Sequence, residues 1–410
     1  YPLRGAAEHV AEVTGYTRIT INHALNATDG TRDRSAPGGL SGPGRRRYPR
    51  SAMEHVSLSP ANLEWRARAR EVADTAVRPV AWRYDRLQEY PWEVQEAMKA
   101  AGLFGVFVPE EYGGSPGGVL DVCLVVEELS RACGAMGVGF AVNALGTFPL
   151  IVGGTPEQKH EYLPPIAAGD HLVSFGLSEP DAGSDAASMT TRAVLDGDEW
   201  VVNGTKKWNT NGAVATTTTL FAVTDPDAGS RGISCFVVDK DDPGRRIGKV
   251  EDKLGIRAIP VVELELDDLR IPADRLVGGV TGAGFKHAMM TLDRARPAVA
   301  AQAVGCAQGA LDFAVLYSTQ REQFGQPIAS MQMVQQLLAD SAMKVEAARQ
   351  LVYEAARHID AGTPDGGRFA AMAKCFATDV AMQVTTDAVQ VFGGVGFMRD
   401  HPVEKYMRDA

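Results

Sequence analysis

The period of the hydrophobic pattern changes twice along this 410-residue chain, and that change limits what it can fold into. Between Ser59 and about Leu163, apolar residues recur three and four positions apart, which is typical of amphipathic helices. From Leu172 to Val277 the period becomes two, with Gly, Asp and Pro between the apolar runs, which indicates strands joined by turns. From Phe285 onward the pattern is helical again. The sequence therefore predicts a β segment between two helical segments.

The pattern also predicts individual elements. In the first segment helices are expected at Leu63–Val77, Val94–Leu103, Val119–Cys133 and Phe140–Val152. In the middle segment strands are expected at Glu199–Asn203, Thr218–Val223, Ile233–Val238 and Val261–Leu266. Three long amphipathic helices are expected last, at about Gly284–Gln320, Ile328–Ala361 and Arg368–Val391, which suits a helical bundle. A mass of 43.8 kDa is enough for two or three packed units.

Two glycine-rich segments lie about twenty residues apart in the middle segment. The first begins at Phe175 and reads Phe-Gly-Leu-Ser-Glu-Pro-Asp-Ala-Gly-Ser-Asp. The second begins at Asn203 and reads Asn-Gly-Thr-Lys-Lys-Trp-Asn-Thr-Asn-Gly. Each alone is an ordinary turn sequence, but the two at this spacing are a specific combination. Together they resemble the strand and loop that hold the flavin in the acyl-CoA dehydrogenase family.

The resemblance to that family extends from about Met53 to Ala410 and implies an α+β fold of three domains. These would be an N-terminal helical domain at 53–170, a middle β-barrel-like domain at 171–280 and a C-terminal four-helix bundle at 281–410. The resemblance also implies FAD as the cofactor, an acyl-CoA as the substrate and electron-transfer flavoprotein as the electron acceptor.

The resemblance further implies where the flavin would lie. Backbone groups of Phe175 and Leu177 would meet the polar edge of the ring. The Ser178 hydroxyl would hydrogen-bond the pyrimidine part and stabilise negative charge there. Trp208 would pack against the flavin, and Thr210 would reach toward its redox-active edge. For each residue taken singly, the alternatives are turn chemistry for the serine and a core position for the tryptophan.

Two motifs in the last helical segment resemble family turns that reach the flavin of a neighbouring subunit. The segment from Arg321 reads Arg-Glu-Gln-Phe-Gly and includes Phe324; its arginine would face the cofactor pyrophosphate. The segment from Gln390 reads Gln-Val-Phe-Gly-Gly, and Gly393 and Gly394 would allow close backbone approach to the adenosine half. The resemblance implies a homotetramer whose sites are completed between subunits. A surface arginine and a helix-capping glycine pair are the alternative.

Three residues are implied as substrate contacts. Ser184, in an Ala-Gly-Ser-Asp turn, would meet flavin phosphate or bound CoA, since small residues and exposed backbone donors suit that role. The sequence Leu-Asp-Arg-Ala-Arg from Leu292 matches the family's Leu-Asp-x-x-Arg motif. Asp293 and Arg296 would therefore lie near the thioester and pantetheine of the CoA. A solvated ion pair on a helix is the alternative for these two residues.

The family's catalytic carboxylate removes the α-proton of the thioester from a dry pocket that raises its pKa toward neutrality. Most members carry this Glu soon after a Met-Arg-Asp-Ala segment, which here ends at Ala410. Some relatives use a Glu at the position that Ala295 occupies here. No catalytic residue is therefore assigned within residues 1–410. A Glu is expected within about ten residues after Ala410, and the 1–410 chain is expected to be inactive without it.

Residues 10–26 have a different character and resemble the helix-turn-helix of repressors such as the lac repressor. About 26 residues cannot build the core that such a motif needs, so a stray amphipathic hairpin is the alternative. Residues 27–52 are rich in Gly, Pro, Ser and Arg and predict a disordered spacer. Residues 1–52 are expected to be a remnant of a neighbouring regulator, carried in by translation beyond the true start, and a genuine fusion is the alternative.

Composition excludes several classes of protein. A net charge of −10 and a pI near 5.4 make nucleic-acid binding an unfavoured function. No apolar run is expected to approach the roughly 20 residues that span a bilayer. Five scattered cysteines without a Cys/His cluster predict neither a disulfide frame nor a metal site. Small buried cysteines in a reducing cytoplasm are expected instead.

The expected function is FAD-dependent α,β-dehydrogenation of an acyl-CoA in fatty-acid β-oxidation, most like the medium- and short-chain branch. One alternative on the same fold is a flavin monooxygenase, which needs no α-proton base. A weaker alternative is a DNA-binding regulator with an acyl-CoA-sensing domain, built on residues 1–30.

Overall fold

The N-terminal helical segment contains six helices. In the computed structural model, which describes residues 58–410, they are α1 Pro60–Val72, α2 Ala81–Leu87, α3 Trp92–Ala100, α4 Val119–Ala132, α5 Gly134–Gly153 and α6 Pro156–Ala167. Helix α6 shows why these boundaries form, because Thr155 accepts a hydrogen bond from the backbone N–H of Gln158 and Pro156 occupies the first helical position. The helix-turn-helix-like residues 10–26 and the spacer 27–52 lie outside the described residues.

The middle segment folds into a seven-stranded sheet. Its strands are β1 Val173–Gly176, β2 Arg192–Asp196, β3 Glu199–Thr210, β4 Thr217–Val223, β5 Ile233–Asp239, β6 Arg245–Val250 and β7 Val261–Pro272. The order is β1-β4-β2-β3-β7-β6, with β5 paired to β4. Strands β1 and β4 are parallel, and β3 pairs antiparallel with β7 along most of its length. Inward-facing apolar side chains, among them Val202, Leu220 and Phe236, form the core of this segment.

The C-terminal segment is a helical bundle built around one long helix. Its helices are α7 Gly284–Gln320, α8 Gln332–Asp360, α9 Gly366–Phe392 and α10 Val403–Asp409, and a short hairpin of β8 Glu322–Gln323 and β9 Gln326–Pro327 follows α7. Helix α7 packs against α8 and α9 of the bundle and against α4 and α5 of the first segment. Small buried side chains on α7, such as Ala301 and Ala310, permit this close packing. Residues 65–410 form one unit.

Helix α5 corrects the expectation that no apolar run approaches the length of a membrane span. It has 20 residues and no charged side chain, and both α5 and α7 are long and apolar enough to cross a membrane by length and composition alone. Most of the apolar window of each helix is buried inside the protein, 67% in α5 and 61% in α7, as in the core helices of folded domains.

The cysteines follow the prediction with one exception. Cys123, Cys133, Cys235 and Cys306 are buried free thiols, as expected for small apolar side chains. Cys375 is exposed, contrary to the expectation, because it lies on the solvent side of α9 between the buried positions Ala373 and Ala377.

Candidate flavin site

The first group of predicted flavin contacts lies on strand β1 and directly after it. Phe175 lies within β1, and Leu177 and Ser178 follow directly after it. The strand is held against α5, where the Asn143 side chain accepts a hydrogen bond of 2.7 Å from the backbone N–H of Val173. Helix and strand approach so closely at Gly146 that a Cβ there would lie 2.6 Å from a Val173 methyl group. Strand β1, which leads directly into Leu177 and Ser178, is therefore held in place by a core helix.

A β-bulge in β3 presents Trp208 to solvent. The pairing of β3 with β7 shifts register between Lys206 and Asn209, and Trp208 has a positive φ of 56°. The Trp208 residue is 49% exposed, which contradicts the alternative of a core aromatic. Bulges commonly re-aim one side chain beside a functional site. Thr210, two residues further, is half-buried at the end of the strand.

Two asparagines hold the segment that carries Thr210. The Asn209 amide nitrogen donates to the carbonyl oxygen of Phe175 at 2.9 Å, and the Asn211 amide nitrogen donates to the carbonyl of Gly139 at 3.1 Å. The backbone N–H of Lys207 also donates to the carbonyl of Ser178 at 3.0 Å. These bonds join the two glycine-rich segments, so Ser178, Trp208 and Thr210 belong to one surface region.

A buried ion pair lies behind the loop that carries Ser178. Lys206 Nζ is 2.7 Å from Glu179 Oε1 and 3.1 Å from the carbonyl oxygen of Leu177. The Glu179 carboxylate also accepts hydrogen bonds from the backbone N–H groups of Thr190 and Thr191 at 2.7 and 3.0 Å. Neither residue was predicted as part of the site, because a buried charge pair has no periodic signal in a sequence.

Burial and pairing act in opposite directions on this pair. Burial lowers the pKa of Lys206 to about 8, and Glu179 offsets only part of that effect. Burial alone would raise the pKa of Glu179, but the Lys206 ammonium and the threonine hydrogen bonds outweigh it and lower that pKa to about 2. Both groups are therefore charged at neutral pH.

Several features fit a bound flavin. The exposed indole of Trp208 offers one face to a flat ring, and the side chains of Ser178 and Thr210 are half-buried nearby. Within residues 58–410, the buried amide oxygens of Asn209 and Asn211 have no hydrogen-bond partner. Buried acceptors of this kind are normally satisfied, so this region suits a ligand that brings its own N–H and O–H donors. Ser184 lies exposed on the same loop as Ser178.

The predicted contacts on the bundle gather at one end of it. Phe324 is 93% exposed at the tip of the β8–β9 hairpin, and Arg321 is exposed at its start. Gln390, Gly393 and Gly394 are exposed at the end of α9. Tyr317 of α7 stacks on Phe392 of α9 with ring centroids 4.1 Å apart, which brings the two turns together. Among the described residues, no hydrogen bond or ring contact joins these turns to the Ser178 and Trp208 segments.

Asp293 and Arg296 form an ion pair one turn apart on α7. Their side chains are partly exposed, which agrees with the alternative of a solvated helical pair. The start of α9 lies beside Asp293, because a Cβ on Gly367 would come within 3.4 Å of its carboxylate. Ala295, the second family position for a catalytic Glu, is buried. The predicted Glu after Ala410 lies outside the described residues.

The chain matches three domain families in order. These are the acyl-CoA dehydrogenase N-terminal domain at residues 59–170, the middle domain at 174–269 and the C-terminal domain at 282–410. The protein belongs to the acyl-CoA dehydrogenase family, whose members are FAD-dependent oxidoreductases. The family and fold predictions are therefore confirmed.

Individual relatives agree with this assignment. The protein named "Probable acyl-CoA dehydrogenase fadE25" from Mycobacterium leprae is 51% identical over 347 residues, which cover 85% of this chain and 89% of the relative. The butyryl-CoA dehydrogenase structure from Megasphaera elsdenii is 39% identical with a TM-score of 0.83, covering 86% of this chain and 93% of that one. A structure described as "Electron transferring flavoprotein of Acidaminococcus fermentans" is 46% identical with a TM-score of 0.85, covering 86% and 93%.

Proposed function

We propose that this protein oxidises an acyl-CoA thioester to the trans-2-enoyl-CoA and passes the electrons to an electron-transfer flavoprotein, in the bacterial cytoplasm. Bound FAD would accept the hydride that leaves the β-carbon, and a carboxylate base would take the α-proton. The butyryl-CoA dehydrogenase and the flavoprotein-related structure are similar along most of this chain, which supports both the substrate class and the acceptor. The observation that carries the proposal is the joining of the Ser178 and Thr210 segments beside an exposed Trp208.

Each of these residues is proposed to contact a different part of the flavin. Backbone groups of Phe175 and Leu177 and the hydroxyl of Ser178 bind the pyrimidine edge, where negative charge accumulates on reduction. Thr210 donates its hydroxyl toward the redox-active edge, and Trp208 covers one face of the ring. A Ser178→Ala variant is expected to bind FAD about tenfold more weakly. Ser188→Ala is the matched control, because Ser188 lies on the same loop and bonds only locally, to the carbonyl of Asp185.

The bundle residues are proposed to act on the flavin of a second subunit in a homotetramer. Arg321 would pair with the pyrophosphate, Phe324 and Gln390 would pack at the cofactor, and Gly393 and Gly394 would let the backbone approach the adenosine half. Exposed apolar side chains on α8 and α9 support self-association: these are Met333, Met343, Met372, Phe376 and Met382. Apolar side chains at this density on helices commonly mark a protein interface.

Substrate contacts are proposed on α7 and on the Ser178 loop. Ser184 would bind phosphate or CoA, and Asp293 and Arg296 would lie near the thioester and pantetheine. Because charged hydrogen bonds contribute about 1.5–3 kcal/mol, Arg296→Ala is expected to weaken acyl-CoA binding about tenfold. The flavin spectrum without substrate should stay unchanged. A loss of FAD in that variant would contradict the assignment to substrate.

The test uses the full chain reconstituted with FAD under anaerobic conditions. Binding of an enoyl-CoA requires no proton abstraction, so a change of the flavin band on adding trans-2-octenoyl-CoA tests the site directly. The photoreduced protein is then mixed separately with electron-transfer flavoprotein and with oxygen. We expect rapid reduction of the flavoprotein and slow reaction with oxygen. Rapid oxygen consumption with a hydroxylated product would favour the monooxygenase alternative and overturn the proposal.

A further inference from the structure

The Lys206 side chain lies behind the proposed pyrimidine site rather than in it. It is 1% exposed, and its ammonium group donates to the carbonyl oxygen of Leu177 at 3.1 Å. Glu179 Oε1 is its ionic partner at 2.7 Å, and the sulfur of Met189 is 3.8 Å away. A lysine at such a position is rare because burial of its charge is unfavourable without specific partners.

The geometry connects this charge to the flavin through one peptide group. The carbonyl of Leu177 and the N–H of Ser178 belong to the same planar, resonance-stabilised unit. A cation hydrogen-bonded to the carbonyl oxygen draws electron density from the nitrogen, and chains of hydrogen bonds polarise one another in this way. The Ser178 N–H therefore becomes a stronger donor to whatever accepts from it.

We propose that Lys206 is a positioning residue that raises the reduction potential of the bound flavin through the peptide group between Leu177 and Ser178. The inference rests on the proposed function and adds one contact to it: the Ser178 N–H, next to the Ser178 hydroxyl, donates to the pyrimidine edge. Negative charge accumulates at that edge when the ring is reduced, so a stronger donor stabilises the reduced form more than the oxidised form.

Glu179 holds Lys206 in place without cancelling this effect. Its carboxylate is shared with the backbone N–H groups of Thr190 and Thr191 and with the Thr190 hydroxyl at 2.9 Å. These bonds disperse the negative charge over both oxygens of the carboxylate. Since the pKa of Lys206 is about 8, the ammonium form prevails at neutral pH.

The test compares the midpoint potential of bound FAD in four full-length proteins. These are the wild type, Lys206→Met, the double variant Lys206→Met with Glu179→Gln, and the control Lys207→Met. Methionine keeps the length of the side chain without its charge. The double variant carries a neutral amide at position 179 and so leaves no unpaired buried charge, which allows the loop to fold even if the single variant cannot. Lys207 is a matched control because its ammonium pairs with Glu251 and Glu263, lies 5.9 Å from the Trp208 ring centroid and makes no hydrogen bond to the peptide group between Leu177 and Ser178.

The double variant is expected to retain FAD with a more negative potential. The ratio of affinities for the reduced and oxidised flavin should fall about tenfold, which is about 30 mV for a two-electron couple. Lys207→Met should shift the potential much less. A double variant with the wild-type potential, or a control that shifts as far, would overturn the role of Lys206.

Ser178→Ala separates this inference from the proposed function. If neither Ser178→Ala nor the Lys206 variants change FAD binding or the potential, the proposed placement of the flavin fails and the Lys206 role fails with it. If Ser178→Ala weakens FAD binding while the Lys206 variants keep the wild-type potential, only the role of Lys206 is wrong.

Discussion

Trp208 is held in a backbone conformation that most side chains avoid. A positive φ on a non-glycine residue is strained by about 1 kcal/mol or more, and the bulge imposes it at the candidate site. The other half of the Trp208 surface is buried, so removing the side chain loses roughly 2–3 kcal/mol of packing. Trp208→Gly is therefore expected to lower the stability of the unliganded protein by about 1–2 kcal/mol after the strain is relieved, while FAD affinity falls about tenfold. Urea unfolding and FAD titration measure the two effects.

Gln88→Gly is the control, because it relieves a similar positive-φ strain at a position away from the candidate site. Gln88 has a φ of 57° at the end of α2, where glycine is favoured, and it lies outside both glycine-rich segments. Relief of the strain should appear in Gln88→Gly without any change in FAD affinity, offset in part by loss of the Gln88 side-chain hydrogen bonds to Asp252 and Arg257. Equal FAD binding by wild type and Trp208→Gly would show that the indole does not contact the cofactor.

The buried carboxylate of Glu128 makes the stability of the protein depend on pH. It is buried against Arg66 and Arg70 at 2.9 and 2.6 Å. Burial favours the neutral acid, but Arg70, Arg131 and Arg66 outweigh it and lower the pKa of Glu128 from 4.5 to about 2. Between pH 4.5 and about pH 2 the unfolded chain therefore binds more protons than the folded protein. The stability of the folded protein falls as the pH falls through that range.

The size of this acid effect is on the order of 3 kcal/mol for Glu128. Urea unfolding measured from pH 6 to pH 3 should show a smaller loss in Glu128→Gln than in the wild type. The variant should also be less stable at pH 6, because Arg66 and Arg70 lose the charge of the Glu128 carboxylate. Parallel curves for the two proteins would show that Glu128 does not govern the acid response.

At the scale of elements, a buried ion pair fixes α10. Lys405 and Asp409 pair one turn apart, both nearly inaccessible, and Asp409 also accepts from the backbone N–H of Ile256 at 2.7 Å. Asp409→Asn leaves the Lys405 charge buried without its counterion, so the protein should lose about 3 kcal/mol of stability. Asp74→Asn is the control: its pair with Arg78 has the same spacing but is exposed, and should change stability by less than about 0.5 kcal/mol. Urea unfolding of both variants tests the difference.

Sequence patterns predicted long helices better than the irregular parts of the site. The helix expected at Gly284–Gln320 has those bounds, because apolar period and length agree there. The strand expected at Glu199–Asn203 continues to Thr210, since pairing with β7 overrides the polar residues after Gly204. The bulge at Trp208 and the Glu179–Lys206 pair depend on contacts between distant segments, which no local pattern reports. The roles assigned to Ser178 and Thr210 remain predictions.

At the scale of the whole molecule, the proposed site requires two chains. Arg321 and the glycine pair after α9 share one end of the bundle, and no hydrogen bond among residues 58–410 links them to Ser178. If a second subunit supplies Arg321, FAD binding and assembly are thermodynamically linked, so FAD should dissociate as the protein is diluted. Analytical ultracentrifugation with detection at the flavin absorbance tests this, because free FAD should appear together with the smaller species.

Complementation between two inactive variants tests the same arrangement more sharply. The Ser178→Tyr substitution blocks the flavin site on the chain that carries it. The Arg321→Ala substitution removes the arginine that a chain contributes to the flavin site of a neighbouring chain. Each variant alone should fail to retain FAD. The two variants are then mixed in equal amounts so that their subunits exchange. A site is intact when its own chain is Arg321→Ala, which keeps Ser178, and the neighbouring chain is Ser178→Tyr, which keeps Arg321. Random pairing gives this combination for about one quarter of the sites. If Arg321 acted within its own chain, no mixture could restore an intact site, so recovered flavin absorbance would assign the arginine to the neighbouring subunit.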